Sequence, residues 1–497
     1  MMVGAEGEVH SAKDARLTGQ PILIRTAPLR IAYGIHPIRT SPVPLARAIG
    51  LGAVISLLAA GLPAQGIPPA FDPRLDTIAH APRAAQLEQD VRTLAGFGTR
   101  NTYSDTLSLH RGIGAARRWI YAEFQRISTA CGGCLEVRYQ QSIIKGQTTE
   151  SRTSPDVNVV NVVAIQRGAT DPTHIVLMSA DIDSRNSTGT DFLKDSPGAN
   201  DNASGMSGVL EAARTLTKYR FGKTIIYTGL SGEEQGLWGG AALAKELADS
   251  AWVVEAVLNN DMIGNVAGIN GVIDNRSFRI FSEPVSATES DAERRARRLY
   301  GGEVDGPSRQ LARYVERLVR AQLPELEPRM IYRLDRFGRG GHHKPFNDAG
   351  MPAVRIMEAH ENYDRQHQDV RTEDGRSFGD VVGGVNFDYA ARLTGVNALV
   401  LASLAWAPAP PLKVRVQGAV SPSTSVSWTI AAGPPPLGYK IYWRDTTSPQ
   451  WEHWRWVPTG TTLVTLQNVI IDDFYFGVAA VGTDGHESLI QFPSFVR

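Results

Sequence analysis

Carboxylates gather at the ends of apolar runs in this sequence, and that pattern carries chemistry. HIVLMSA (174–180) passes into Asp181-Ile182-Asp183-Ser184. TIIYTGL (224–230) passes into SGEEQGL, with Glu233 and Glu234, and VVEAVLNN (253–260) into Asp261-Met262-Ile263-Gly264. Between the first two lies SPGANDNASG, with Asp201; after Ala353–Met357 comes ENYDRQHQD, with His367. Singly, each has an ordinary role: Asp201 suits a helix first turn, Glu233 and Glu234 a solvated pair, Asp261 a loop, and His367 the surface. Together they do not, because carboxylates converging on one crevice repel one another unless cations neutralise them. Oxygen donors joined by an imidazole suit zinc or a similar divalent ion. Such an ion polarises a carbonyl and acidifies bound water, while a spare carboxylate takes the proton.

Elements must bring these run ends together. Val159–Ile165, His174–Ala180, Thr224–Leu230, Val253–Asn259 and Ala353–Met357 have the nearly unbroken apolar texture of strands buried on both faces. Helical spacing links Ile113, Ala116, Ile120, Phe124 and Ile127, and again Met206, Val209, Leu210, Ala213 and Leu216. The alternation predicts an α/β domain with a helix-covered, largely parallel β-sheet. In such a sheet ligands bind outside the carboxyl ends of the strands, where the acids fall. A long insertion from Asn265 to Gly341 is helical around Ser308–Gln322.

PGANDNASG with LEAAR behind it, then GEEQGLWGG, NNDMIG and ENYDRQHQD, in that order, resemble the co-catalytic two-zinc exopeptidases of metallopeptidase clan MH. These are the bacterial leucyl aminopeptidase and glutamate carboxypeptidase type, and the similarity spans residues 85–405. The resemblance implies the zinc exopeptidase fold and two divalent ions, expected to be zinc. Asp201 would bridge them, Glu234 and His367 would complete one site, Asp261 would serve the other, and Glu233 would be the general base. Two positions depart from the family. His-x-Asp-Ser is here Asp181-Ile182-Asp183-Ser184, and Asp-His before Pro-Phe is His342-His343-Lys344-Pro345-Phe346. With Asp181 in the ligand position, the Asp181–Asp261 site is expected to be more anionic, weaker and less selective for zinc. Asp183, two residues along, is expected on the same side and to face a like charge. His342 is a candidate ligand or nearby cation that offsets it.

The ends of the chain carry other signals. Residues 1–66 read as a long leader plus secretory signal, with AIGLGAVISLLAAGL (48–62) between Arg47 and the small residues at 64–66. That run is short for a membrane span, so the expectation is a secreted or periplasmic product, membrane-anchored if the signal stays uncleaved. In an exported protein Cys131 and Cys134, in ACGGC, read as a local disulfide. The catalytic domain is expected over 67–406, APAPP at 407–411 as a stiff linker, and a separable small all-β sandwich over 412–497. Trp428 and Tyr475 make that module resemble fibronectin type III, with a polymer or cell surface as candidate partner. The 497-residue chain carries 51 basic and 51 acidic residues, which leaves no electrostatic footprint for nucleic acid.

The function expected is a secreted metal-dependent exopeptidase acting on peptides, an aminopeptidase by analogy. Two alternatives come from other classes. A glutaminyl-cyclase-like acyltransferase needs one zinc at Asp201, Glu234 and His367, but also an acid where His342 stands. A binding protein with a degraded metal site would have no reason to keep Glu233.

Overall fold

Apolar strands buried on both faces form the frame of the molecule. The computed structural model describes residues 70–146, 155–302 and 304–493; the leader and the apolar run at 48–62 lie outside the described residues. One mixed sheet contains β1 (Leu135–Ile144), β2 (Val157–Gln166), β3 (Asp171–Asp181), β4 (Lys223–Leu230), β5 (Val253–Asn260), β6 (Ser277–Phe281), β7 (Glu327–Ile331) and β8 (Ala353–Glu358), in the order β1-β2-β4-β3-β5-β8-β6-β7. The central strands β4, β3, β5 and β8 run parallel, and β6 and β7 are parallel to each other. The pairs β1–β2, β2–β4 and β6–β8 are antiparallel.

Alternate residues of the central strands point into different cores. Val176 and Met178 meet α1 (Gly112–Ala130), α2 (Gly205–Leu216), α4 (Pro307–Gln322) and α5 (Phe387–Trp406) on one side. Ile175 and Leu177 meet Leu243, Ala244 and Leu247 of α3 (Trp238–Ala248), together with Phe346, on the other. With both faces covered, the strands need no polar alternation, which is why they read as continuous apolar runs. The carboxyl ends of four parallel neighbours then open on one rim, with helices and loops rising around it. Cys131 and Cys134 form a disulfide just past α1, far along the chain from the acidic runs. A small ribbon, β9 (Arg371–Glu373) and β10 (Arg376–Phe378), follows His367. Among the described residues no helix is long and apolar enough to cross a membrane.

Beyond α5 the chain forms two three-stranded antiparallel sheets. One orders β11 (Leu412–Gln417), β12 (Thr424–Thr429) and β15 (Leu463–Leu466); the other orders β14 (His453–Pro458), β13 (Gly438–Asp445) and β16 (Phe474–Val481). Val426, Trp428, Tyr439, Ile441, Val464 and Phe476 fill the space between them.

This sandwich does not hang on a free spacer: the APAPP segment expected as a stiff linker is packed against the catalytic part. Ala407 and Pro411 are buried, and the carbonyl of Pro408 accepts from Lys223 Nζ at 3.2 Å. The sandwich is bonded along α4. Asp305 accepts from Arg313 of α4 at 2.6 Å and from Arg444 of β13 at 2.7 and 2.8 Å. Arg317 reaches Tyr442 Oη at 2.5 Å and Glu487 at 3.1 Å. His486 packs against Trp406 with ring centroids 5.0 Å apart and bonds Asp72 at 3.0 Å. Proline stiffness was legible in the linker; the polar interface that docks it was not, because its members lie far apart in sequence.

Candidate metal centre

Two of the acids and the histidine identified from the sequence converge at the rim, and the geometry gives the other acids different roles. Asp201 comes from the loop that leads into α2, Glu234 from the turn after β4, and His367 from the irregular segment after β8. His367 Nε2 lies 3.0 Å from Asp201 Oδ2 and 3.0 Å from Glu234 Oε1. Zinc bonds to such donors measure about 2.0–2.2 Å, which places tetrahedral donors roughly 3.3–3.6 Å apart, a few tenths of an ångström wider than these. The trio is therefore close to the spacing of one ion's ligand set, a carboxylate–carboxylate–imidazole group. Burial alone would lower the His367 imidazole, but Glu234 and Asp201 raise it to about 10, so the ring itself supplies positive charge there. Exchange of that proton for a divalent cation adds one positive charge, which the two carboxylates can meet.

Backbone and buried polar groups hold this trio in place. Asp380 accepts from the backbone N–H of Asn200 at 2.8 Å and of Asp201 at 2.7 Å. Glu358, at the end of β8, accepts from Asn200 Nδ2 at 2.9 Å and from the Asn265 N–H at 2.7 Å. Buried Arg100 donates to the carbonyls of Ile182 and Gly198, at 2.8 and 2.9 Å, and so ties the loop after β3 to the Asp201 loop. Gly198 has φ +50, and a Cβ there would lie 2.5 Å from both the Asp201 carbonyl and Ser184 Cβ, so this turn excludes a side chain.

Burial, then Asp261, then Asp183 as the like charge expected beside it raise the Asp181 carboxyl, but the hydrogen bonds of Asp183 itself lead elsewhere. β3 ends at Asp181, and Asp183 turns under the Glu233–Glu234 turn. There it accepts from the N–H groups of Gly232 at 2.8 Å, Glu233 at 3.2 Å and Glu234 at 3.1 Å. Its carboxylate thus shapes the turn that presents both glutamates. Glu233 is half-buried at the mouth. Burial, together with the charges of Asp181, Glu234 and Asp261, raises its carboxyl well above the usual range.

Asp181 and Asp261 are buried beneath this mouth and engaged elsewhere. His342 Nδ1 sits 2.5 Å from Asp181 Oδ1, and Asn202 Nδ2 donates to Asp181 Oδ2 at 2.8 Å. Asp261 Oδ2 lies 2.8 Å from a guanidinium nitrogen of Arg355. Arg355 was missed in the sequence, although a charged residue inside the apolar run AVRIME signalled it. Asp380 and Arg100 left no such signal.

Residues 161–383 match peptidase family M28. Over 430 residues the chain is 37% identical to a probable zinc metalloprotease of Pyrenophora tritici-repentis, covering 86% of this chain and 88% of that protein. The chain belongs to peptidase family M28. A second relative, a probable zinc metalloprotease of Leptosphaeria maculans, is 37% identical over 426 residues and covers 86% and 98% of the two chains. Among solved structures, the Legionella pneumophila LapA aminopeptidase is similar with a TM-score of 0.47 at 17% identity, over 67% of this chain and 75% of that one. This M28 protein is thus a zinc metalloprotease with peptide substrates. Its Asp201, Glu234 and His367 fit the metal that the family implies.

Proposed function

We propose that this M28 protein is an aminopeptidase that removes N-terminal residues from peptides, with Asp201, Glu234 and His367 as zinc ligands and Glu233 as general base. The observation that carries the proposal is the convergence of those three donors, at 3.0 Å spacings, beside a half-buried carboxylate that is not one of them. When bound, zinc supplies Lewis acidity to the scissile carbonyl and to a water. Glu233 takes the proton from that water and delivers it to the leaving amine. Asp183 holds the turn so that Glu233 and Glu234 are presented together. The resemblance of the four motifs to the leucyl aminopeptidase type supports the choice of the N-terminal end.

A panel of aminoacyl reporters, free or N-blocked, tests this reading. Free-amine substrates are expected to be cleaved and blocked ones spared, with activity abolished by chelation; preferential cleavage of blocked peptides at a free C-terminus would refute it. A single triad also suits acyl transfer with one zinc, so an N-terminal glutaminyl peptide belongs in the panel, with cyclisation instead of cleavage as the mark of that reading.

Export through the apolar run at 48–62 forms part of the same proposal, as does a fibronectin type III-like identity for the C-terminal sandwich with a polymer or cell surface as partner.

The groups behind the ligands give a second expectation. Asp380→Ala frees the N–H groups of Asn200 and Asp201 and loosens the Asp201 loop. Loss of such an orienting partner typically weakens metal affinity about 10–100-fold. Chelator competition should show that decrease, with secondary structure unchanged.

A further inference from the structure

We propose that this site holds one metal ion, at Asp201, Glu234 and His367, and that the fixed cation Arg355, together with the Asp181–His342 pair, takes the place of the second ion expected from the sequence. The inference rests on reading that trio as zinc ligands, and it goes beyond it by assigning the other half of the site.

The second position would need Asp181 and Asp261 as donors. Both oxygens of Asp181 are already used, Oδ1 by His342 Nδ1 at 2.5 Å and Oδ2 by Asn202 Nδ2 at 2.8 Å. Asp261 Oδ2 is held by Arg355 at 2.8 Å. Arg355 is 0% exposed, and its other arm is pinned by Asp335 at 3.0 and 3.3 Å and by the Gly340 carbonyl at 2.8 Å. One arm of the guanidinium is thus anchored by hydrogen bonds, while the other faces Asp261 as an ion pair without a hydrogen bond. Four buried atoms of these residues lack a hydrogen-bond partner among the described residues: Asp261 Oδ1, His342 Nε2, and Nε and Nη2 of Arg355. His342 Nε2 lies on the ring edge away from Asp181, on the side of Gly240, where a Cβ would come within 2.6 Å of His342 Cδ2. Asp261 Oδ1 is left as one free donor beyond Asp201, and one carboxylate oxygen does not make a zinc site.

Charge leads to the same place. One proton shared between Asp181 and His342 makes that pair neutral. Asp261 is matched by Arg355. Asp183 is met by three backbone N–H groups, with Arg100 and Arg117 near enough to be felt by it. Asp201 and Glu234 remain, and one dication balances two carboxylates, leaving Glu233 to act as base. A second dication would find, among these carboxylates, only Glu233, the one left to act as base. The exchange of His for Asp at position 181 and of Asp for His at position 342 is thus one rearrangement: the hydrogen-bonded pair is kept and its ligand is lost.

The test counts ions. The full chain, stripped of metal and titrated with zinc, is read by native mass spectrometry alongside circular dichroism. One tight equivalent is expected in the unmodified protein and none in His367→Ala, since the sole tight site is gone. Two tight equivalents, or one remaining in His367→Ala, would overturn the proposal while leaving the aminopeptidase reading intact. No tight equivalent in the unmodified protein would overturn both. Arg355→Gln removes the fixed cation and is expected to admit a second equivalent at higher zinc; a folded Arg355→Gln that still binds only one would overturn the assignment of Arg355. If that variant does not fold, the counts in the unmodified protein and in His367→Ala still decide.

Discussion

Glutamine at position 233 is expected to lower turnover by about 10²–10⁴ while leaving zinc content and melting behaviour unchanged, the usual scale for loss of a general base. The substitution keeps the shape of Glu233 and its backbone bond to Asp183 at 3.2 Å, so the turn that carries Glu234 should stay as it is. Only the ability to accept and return a proton is removed. Glu234→Gln makes the control, because Glu234 Oε1 is one of the two carboxylate oxygens 3.0 Å from His367 Nε2. That variant should lose zinc together with activity. Equal loss of zinc in both would mean that base and ligand are assigned the wrong way round.

The second large effect concerns stability. Asp305→Ala should destabilise the folded chain by about 3–5 kcal/mol, because it leaves two buried cations facing each other without their shared anion. Arg313 and Arg444 each have 1% exposure, and both bond Asp305, one from α4 and the other from β13. Equilibrium denaturation would show the loss. Replacing all three by apolar residues of similar volume should cost far less, since no charge is then stranded. A triple variant as unstable as Asp305→Ala would show that packing, not charge pairing, governs this contact. The same interface makes a chain cut near Pro408 a poor folder, with Arg317 of α4 stripped of Tyr442 and Glu487.

The local features of this fold were legible, and the relations between distant segments were not. β3, β4, β5 and β8 were readable because burial on both faces demands apolar side chains at every position, which gives an unbroken run. α1 and α2 were readable from a stripe at helical spacing. β1, β6 and β7 were not, since strands nearer a sheet edge mix polar and apolar residues as a loop does: β1 reads LEVRYQQSII. Helix α5 carries apolar residues on almost every side and so shows no stripe to find. At the site, Asp201, Glu233, Glu234, Asp261 and His367 were visible because each terminates or follows a recognisable element. The partners that decide their roles were invisible for the opposite reason. Asp380 stands 179 residues from Asp201 in sequence, and His342 stands 161 from Asp181. Such pairings are set by topology, and no local spacing encodes them.

The third ligand differs from its partners in how the chain carries it. Asp201 and Glu234 stand at the ends of packed elements, whereas no residue from 360 to 370 belongs to an apolar core cluster of the described residues. Polar contacts alone, such as Arg365 to the Gly384 carbonyl at 2.8 Å and Gln366 to Asp201 at 3.1 Å, hold the segment around His367. An ion bound there works as a clasp, and its binding energy accrues to closure of this one segment more than to the global fold. Zinc withdrawal should therefore register as faster amide exchange and a new protease-sensitive stretch at 360–370, well before it lowers the melting temperature.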